Sequence, residues 1–371
     1  MIPAPQFKSV SAVTDGPAFT SRQKTRHRGS TPLPIGWEGA LVKEELWMRY
    51  VYGPVPSRRL GQSLGIDTIP FKTCNWNCVY CQLGRTSPPT NERRDYFPIN
   101  EILAEAESTL KAHRTGEIDW ITFVGSGEPT LHASFGEIIR KVRTMTSLPI
   151  AVITNGSLLH LPEVREELLT ADVVLPTVCA GTEILYRKIN RPMAELGFDE
   201  FIRGIVAFRD QFHGKLWVEV MLVKDLNDSE DALEDLATVL RRIRPDEVHL
   251  NSPTRPPCEP WVKPVDKAAI DRAQRILGDV AHVVLPAEGE VDLSGYDNVV
   301  DAIVAVITRH PITEQELVQA LDRWQPGHVR ESLADLERSG KAQVVVRDGQ
   351  RSWSCAAAKY VEEATGRCQS R

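Results

Sequence analysis

Leu64-Gly-Ile-Asp-Thr-Ile-Pro70 and, just after it, Thr73-Cys74-Asn-Trp-Asn-Cys78-Val-Tyr-Cys81-Gln82 decide how this chain is read. The first is an apolar run of strand length, the second a turn-rich loop carrying three thiols off its C-terminal end. Five more strand-like runs follow: 120–124, 150–154, 173–178, 216–223 and 247–251. Amphipathic stretches of helical period alternate with them, over 99–113, 135–146, 162–170, 199–212, 229–243 and 266–277. Six strand–helix units in a row predict an α/β fold with a parallel sheet and helices outside, a (βα)6 partial TIM barrel. No Gly-rich dinucleotide fingerprint follows the first strand. In a barrel of this kind the chemistry sits at the C-terminal ends of the strands, which is where the thiols fall.

Further out, the chain divides. Residues 1–47 are rich in Ser, Thr, Pro, Gly and basic residues without an apolar core, and read as a disordered extension rather than a signal peptide. Met48, just before the strong pattern, would serve as a start. The barrel is expected over 48–290. Over 296–356 the pattern predicts three helices (298–309, one opened by the capping box Thr313-Glu-Gln-Glu316, and 326–339) and a hairpin turning at 347–350, a winged-helix-like domain. Residues 357–371 read as a flexible tail.

Composition narrows the function. Among 371 residues, 44 are basic and 50 acidic, a net charge of -6, so there is no global attraction to nucleic acid or an anionic membrane. The winged-helix-like segment alone carries 7 basic and 9 acidic residues, which favours a packing or lid role over DNA reading. No apolar run approaches the length of a membrane span. Seven cysteines, an odd number with no secretory signal, predict a reducing cytoplasmic setting and no membrane partner.

Three of those cysteines, Cys74, Cys78 and Cys81, lie within eight residues. Their C-x3-C-x2-C spacing lets three thiolates converge on one small centre, and thiolates are the ligands of iron–sulfur clusters. Three ligands on a four-iron cluster leave one iron open for a cofactor. A structural zinc site wants four closed ligands, usually in pairs; no second C-x2-C exists and no histidine lies between His27 and His113. Three unrelated core cysteines suit Asn75, Asn77 and Gln82 poorly. The cluster reading is the one carried forward.

The same residues resemble the radical S-adenosylmethionine (radical SAM) superfamily. The triplet has an aromatic, Tyr80, before its third cysteine; Gly125-Ser-Gly-Glu-Pro-Thr130 follows the second predicted strand, and Thr154-Asn155-Gly156 ends the third. The resemblance covers about residues 50–280. It implies a [4Fe-4S] cluster on Cys74, Cys78 and Cys81, with S-adenosylmethionine (SAM) on the open iron. An electron then cleaves the sulfonium C–S bond, and the 5′-deoxyadenosyl radical takes a hydrogen atom from a substrate. It further implies that Tyr80 faces the adenine and that Gly127 and Glu128 receive the SAM amino group. Asn155, Glu219 and Asn251, at or near strand ends, are candidate ribose or carboxylate contacts; ordinary strand-end hydrogen bonding is the alternative for each.

Tyr52-Gly-Pro-Val-Pro-Ser-Arg-Arg-Leu-Gly61, Asn190-Arg-Pro192 and Glu219-Val-Met-Leu222 are similar to the iron–sulfur oxidoreductases related to the tRNA wyosine-base (4-demethylwyosine) synthases. Two departures stand out. No cysteine precedes Cys74, so the second cluster of those synthases has no ligands here, and 176–180 ends in Cys179-Ala180 where they carry an Asp. Cys179 is therefore a candidate catalytic thiol or, equally, a small buried hydrophobe. Arg58, Arg59, Arg191 and Arg255 are candidate anion clamps, the loop 181–192 a candidate substrate contact, and His132 either a proton donor or a loop residue. The expected function is radical SAM modification of tRNA, fed by an electron donor such as flavodoxin or ferredoxin. The alternatives are modification of a peptide, protein or small metabolite, or an iron–sulfur redox regulator that binds nucleic acid.

Overall fold

The computed structural model describes residues 49–57, 59–284 and 296–362. Its main feature is one eight-stranded sheet whose strands lie in chain order: β1 (Val51–Ser57), β2 (Gly61–Ile66), β3 (Trp120–Phe123), β4 (Ile150–Thr154), β5 (Val173–Pro176), β6 (Lys215–Met221), β7 (Glu247–Asn251) and β8 (Ala281–Val283). β1 pairs antiparallel with β2, and every later pair is parallel. The helices between them are α1 (Ile99–Ala112), α2 (Phe135–Met145), α3 (Pro162–Leu168), α4 (Glu183–Ile189), α5 (Phe198–Gln211), α6 (Glu230–Ile243) and α7 (Lys267–Leu277).

The six strand–helix units are present, and the sheet gains a strand at each edge. β1 is missed by periodicity because two prolines, Pro54 and Pro56, interrupt it, which an edge strand tolerates. β8 is only three residues long. A second departure is α4, which occupies the middle of the stretch expected to be a loop at 181–192. Thr182 caps it, its hydroxyl accepting from the Leu185 N–H, and Tyr186 and Ile189 are its buried face.

The sheet is curled. β1 and β6 stand five places apart, roughly 24 Å in a flat sheet. Yet Arg59, in the turn after β1, forms an ion pair with Glu219 of β6. Alternation sorts the strands' two faces. Trp120, Ala151, Ile153, Val173, Leu175 and Trp217 pack with Leu60 as a separate cluster, whereas Val152, Val174, Leu216 and Val218 join the helices in the large core.

After the barrel, α8 (Val299–Arg309), α9 (Glu314–Ala320), α10 (Pro326–Arg338) and the hairpin β9 (Ala342–Arg347) and β10 (Gln350–Cys355) form a second core around Ile303, Ile307, Leu317 and Leu333. The Thr313–Glu316 capping box forms in both directions. The hairpin turns on Asp348 and Gly349, both at positive φ, the backbone of a two-residue type I′ turn. Tyr360 and Val361, expected in a free tail, are tied down: the Tyr360 hydroxyl donates to the Gln82 carbonyl at 2.5 Å and the Val361 N–H to the Cys258 carbonyl at 3.1 Å. The extension at 1–47, Met48, Arg58, residues 285–295 and residues 363–371 lie outside the described residues. Among the described residues no helix is long and apolar enough to cross a membrane.

Candidate functional site

The loop from β2 to α1 runs along the C-terminal ends of the strands. Asp67, fully buried, starts it. Its carboxylate accepts the Ser126 N–H at 3.0 Å, the Ser126 hydroxyl at 2.8 Å and the Ile69 N–H at 3.4 Å, which ties the end of β2 to the end of β3. The two segments then run side by side. Lys72 N–H donates to the Ser126 carbonyl at 2.7 Å and Glu128 N–H to the Thr73 carbonyl at 2.9 Å. That approach dictates glycine at 127: a Cβ there would stand 1.9 Å from the Thr73 carbonyl oxygen.

Beyond Thr73 the cysteine loop is pinned from two sides. Trp76 is buried edge-on to Tyr186 and Phe201, ring centroids 5.4 Å from each. The end of α4 supplies main-chain partners: Asn77 N–H donates to the carbonyls of Asn190 and Arg191, and Val79 N–H to that of Ile189. Asn75 is fully buried, its amide on Ser157 Oγ at 2.8 Å and its carbonyl oxygen accepting from Asn155 Nδ2 at 2.8 Å. These contacts explain Asn75, and Asn77 Oδ1 accepts the Thr86 N–H at 3.0 Å, so both asparagines carry the loop's fold.

All three sulfurs of the triplet receive N–H groups. Cys74 Sγ accepts from the Trp76 N–H at 3.4 Å and from Asn155 Nδ2 at 3.8 Å. Cys78 Sγ accepts from Asn190 Nδ2 at 3.7 Å, and Cys81 Sγ from Lys72 Nζ at 3.2 Å. Burial, against the pull of Lys72, pushes the Cys74 thiol up to about 11, and burial together with the neighbouring sulfurs raises Cys78 well above the usual thiol range. Burial pulls the Lys72 ammonium down, but the sulfurs of Cys81, Cys74 and Cys78 outweigh it and its affinity for a proton rises. N–H donors around sulfur stabilise thiolate, and a coordinated metal removes the thiol proton outright. The donor set therefore fits an iron–sulfur cluster. Among the described residues no three His, Cys, Asp or Glu side chains crowd a single-ion position; the cysteines of a cluster ligate different irons, so the fit rests on the loop path and these hydrogen bonds.

The other expected site residues divide. Tyr80 reaches the same place: its hydroxyl accepts from Asn190 Nδ2 at 3.2 Å and lies 3.6 Å from Cys179 Sγ. Cys179 is buried at the end of β5, accepts the Met221 N–H at 3.3 Å and is pushed up to about 12 by burial, so it stands as a neutral thiol beneath Tyr80. Asn155 bridges Cys74 and Asn75, as above. Glu128 does not present its carboxylate to the barrel mouth. It is 1% exposed and accepts from Thr130 N–H and Oγ1, Thr154 Oγ1 and Asn155 N–H, bracing the ends of β3 and β4. Glu219 is held by Arg59 and accepts from Asn251 Nδ2 at 2.9 Å, so these two candidates form a group with Arg59.

The candidate clamps are engaged elsewhere. Arg191 pairs with Glu259, as Arg85 does, and Arg255 donates to the Pro311 carbonyl at 2.7 Å. Burial and the N–H of Ser134 hold the His132 ring neutral: Nδ1 accepts from that N–H at 3.2 Å while Nε2 faces the Phe97 carbonyl at 3.2 Å, a structural role. Two residues at the sulfurs were not singled out from sequence: Lys72 and Asn190. The Asn190-Arg-Pro192 segment stood out, but nothing in spacing alone aims Asn190 at Cys78. A lysine two residues before a cysteine carries no signal of its own.

Residues 68–237 match the family model of the radical SAM superfamily. Over 285 residues the chain is 35% identical to a UPF0026 protein of Methanocaldococcus jannaschii, covering 74% of this chain and 87% of that one. Over 347 residues it is 35% identical to a protein of Brachyspira hyodysenteriae named GTPase Obg, covering 91% of this chain; it spans about half, 50%, of that protein's length. The chain has no Gly-x4-Gly-Lys-Ser/Thr phosphate loop of its own. A radical SAM methyltransferase from Sphaerobacter thermophilus aligns at 20% identity with a TM-score of 0.46, over 60% of this chain and 66% of that one.

Proposed function

The chain belongs to the radical SAM superfamily, as a UPF0026 protein, and from that premise we propose that it holds a [4Fe-4S] cluster on Cys74, Cys78 and Cys81 and modifies a tRNA base. The observation that carries the cluster assignment is the set of N–H groups turned onto all three sulfurs at the C-terminal mouth of a parallel sheet. Bound there with SAM, the cluster would supply the electron that breaks the sulfonium C–S bond and so a radical able to take hydrogen from a substrate.

The protein's own residues bind and orient. Lys72, Asn155, Asn190 and the Trp76 N–H hold the sulfurs in place. Gly127 lets the Gly–Glu–Pro backbone press against Thr73, and Glu128 fixes that backbone by bracing Thr154 and Asn155. Tyr80 and Cys179 stand together, hydroxyl and sulfur 3.6 Å apart, with the Asn190 amide on the Tyr80 hydroxyl. Support for tRNA as substrate is the resemblance of 52–61, 190–192 and 219–222 to the wyosine-related group. Matches of 27% identity over 162 residues to GTP 3′,8-cyclase of Edwardsiella ictaluri favour a small nucleotide as the second reading.

The test is anaerobic. The cluster is reconstituted, SAM and a strong reductant are added, and 5′-deoxyadenosine is measured with and without total tRNA. Stimulation by tRNA is the expected result. Formation without a tRNA effect moves the substrate to metabolites or peptides, and no formation from a protein that holds its cluster refutes the enzymatic reading. Cys179→Ala with full iron content and unchanged product formation would remove the catalytic thiol.

A further inference from the structure

Lys72 is placed with unusual economy. Its φ of 59° lies in the left-handed region that a side chain with a Cβ rarely adopts, and its N–H is committed to the Ser126 carbonyl at 2.7 Å. From there its side chain reaches Cys81 Sγ at 3.2 Å. Among the described residues, its ammonium forms no ion pair with a carboxylate. Three arginines named above do have one: Arg59 has Glu219, and Arg85 and Arg191 share Glu259. Lys72 is half-buried, and an ammonium partly withdrawn from water without a counter-charge is costly. The charge facing this one is sulfur.

We propose that Lys72 is a positioning residue that sets the reduction potential of the cluster, its fixed positive charge on the Cys81 sulfur favouring the reduced form. The proposal rests on the assignment of the three cysteines as cluster ligands. The step it concerns takes one electron from a low-potential one-electron donor, such as a reduced flavoprotein, and forms or breaks no bond. Reduction adds one negative charge and no proton, so a neighbouring cation favours it by Coulomb attraction. Hydrogen bonds and charge at ligand sulfurs are general levers on such potentials. The Cys74 and Cys78 sulfurs are served by neutral amide and main-chain N–H groups, so among these contacts the charge is carried by Lys72.

The experiment is a spectroelectrochemical titration of reconstituted holoprotein, with iron and sulfide content measured on each sample. Lys72→Gln keeps an N–H donor and drops the charge; Lys72→Arg keeps both. The expected result is that Lys72→Gln, at full iron content, loses at least about tenfold in reduced-to-oxidised ratio at a fixed donor potential, about 59 mV for one electron, while Lys72→Arg stays near wild type. Equal midpoints for all three proteins overturn the proposal. A Lys72→Gln protein that assembles no cluster while Lys72→Arg does overturns it too, in favour of an assembly role. Wild-type protein that binds no iron refutes the cluster assignment itself, so the two failures are told apart.

Discussion

Replacing Arg309 by Met tests how the second core is fastened to the barrel. Arg309, in the last turn of α8, is 8% exposed, and its Nη2 lies 3.5 Å from the carboxylate of Asp67, which is 0% exposed. It also donates to the Arg49 carbonyl at 2.9 Å and lies 4.3 Å from the centroid of the Tyr52 ring. Two charges at that separation attract by roughly 5 kcal/mol at an effective dielectric of 20, before desolvation is subtracted. Removing one partner of a buried pair costs about 3–5 kcal/mol, because the other charge stays buried alone. Asp67 keeps three other donors, from Ser126 and Ile69, so Arg309→Met is expected at the low end, about 3 kcal/mol. Asp67→Asn leaves the Arg309 contacts with Arg49 and Tyr52 and is expected to cost about 2 kcal/mol. The double variant should cost clearly less than the sum, with a coupling of about 2 kcal/mol. Urea unfolding followed by tryptophan fluorescence measures all four corners of the cycle, provided the slope with denaturant is unchanged. A coupling under about 0.5 kcal/mol would show that the pair is incidental.

Three further outcomes are expected. Cys78→Ser should lose most of the bound iron on reconstitution while keeping the far-ultraviolet circular dichroism of the wild type; full iron content would count against the ligand assignment. Gly127→Ala forces a Cβ to 1.9 Å from the Thr73 carbonyl, and should destabilise by about 1–3 kcal/mol or more and cut iron retention, since Thr73 directly precedes Cys74; unfolding midpoint and iron content together check it. Burial lowers the affinity of His132 for a proton. Below about pH 6.5 the unfolded chain takes up that proton and the folded one does not, so stability falls on acidification by at most about 1.4 kcal/mol per pH unit for this group. His132→Gln should flatten the loss between pH 7 and 5; a difference from wild type that does not change with pH refutes the assignment.

The alternation of apolar runs with helical period made the barrel legible. Ile150–Thr154 is legible to the residue because a buried parallel strand is apolar on both faces, and Glu247–Asn251 because Val248 and Leu250 alternate with polar residues. β1 was not, since its two prolines and Gly53 erase the alternation. Nor was α4, seven residues of mixed polarity held by a cap and by packing that has no sequence period. The candidate site stands out in the sequence where chemistry fixes residue type, as at the cysteines, and where a close backbone approach demands glycine, as at Gly127. It was illegible where position depends on a distant segment. Asn190 meets Cys78 across 112 residues, and Lys72 meets Cys81 only because a left-handed residue turns it inward. Glu128 shows the converse: the motif was found, yet its carboxylate serves the strand ends, a distinction that spacing cannot draw.

The bond from the Tyr360 hydroxyl to the Gln82 carbonyl joins residues 278 positions apart. Gln82 directly follows the third cysteine, and Arg85 N–H likewise donates to the Lys359 carbonyl at 2.6 Å. During synthesis the ribosome makes the cysteine loop 278 residues before its fastening. At 5–20 residues per second that interval is roughly 14–56 seconds. Throughout it the segment behind the thiols lacks two of its anchors. The finished shape of the cysteine loop thus exists only once residues 359 and 360 have been made and have docked beside it.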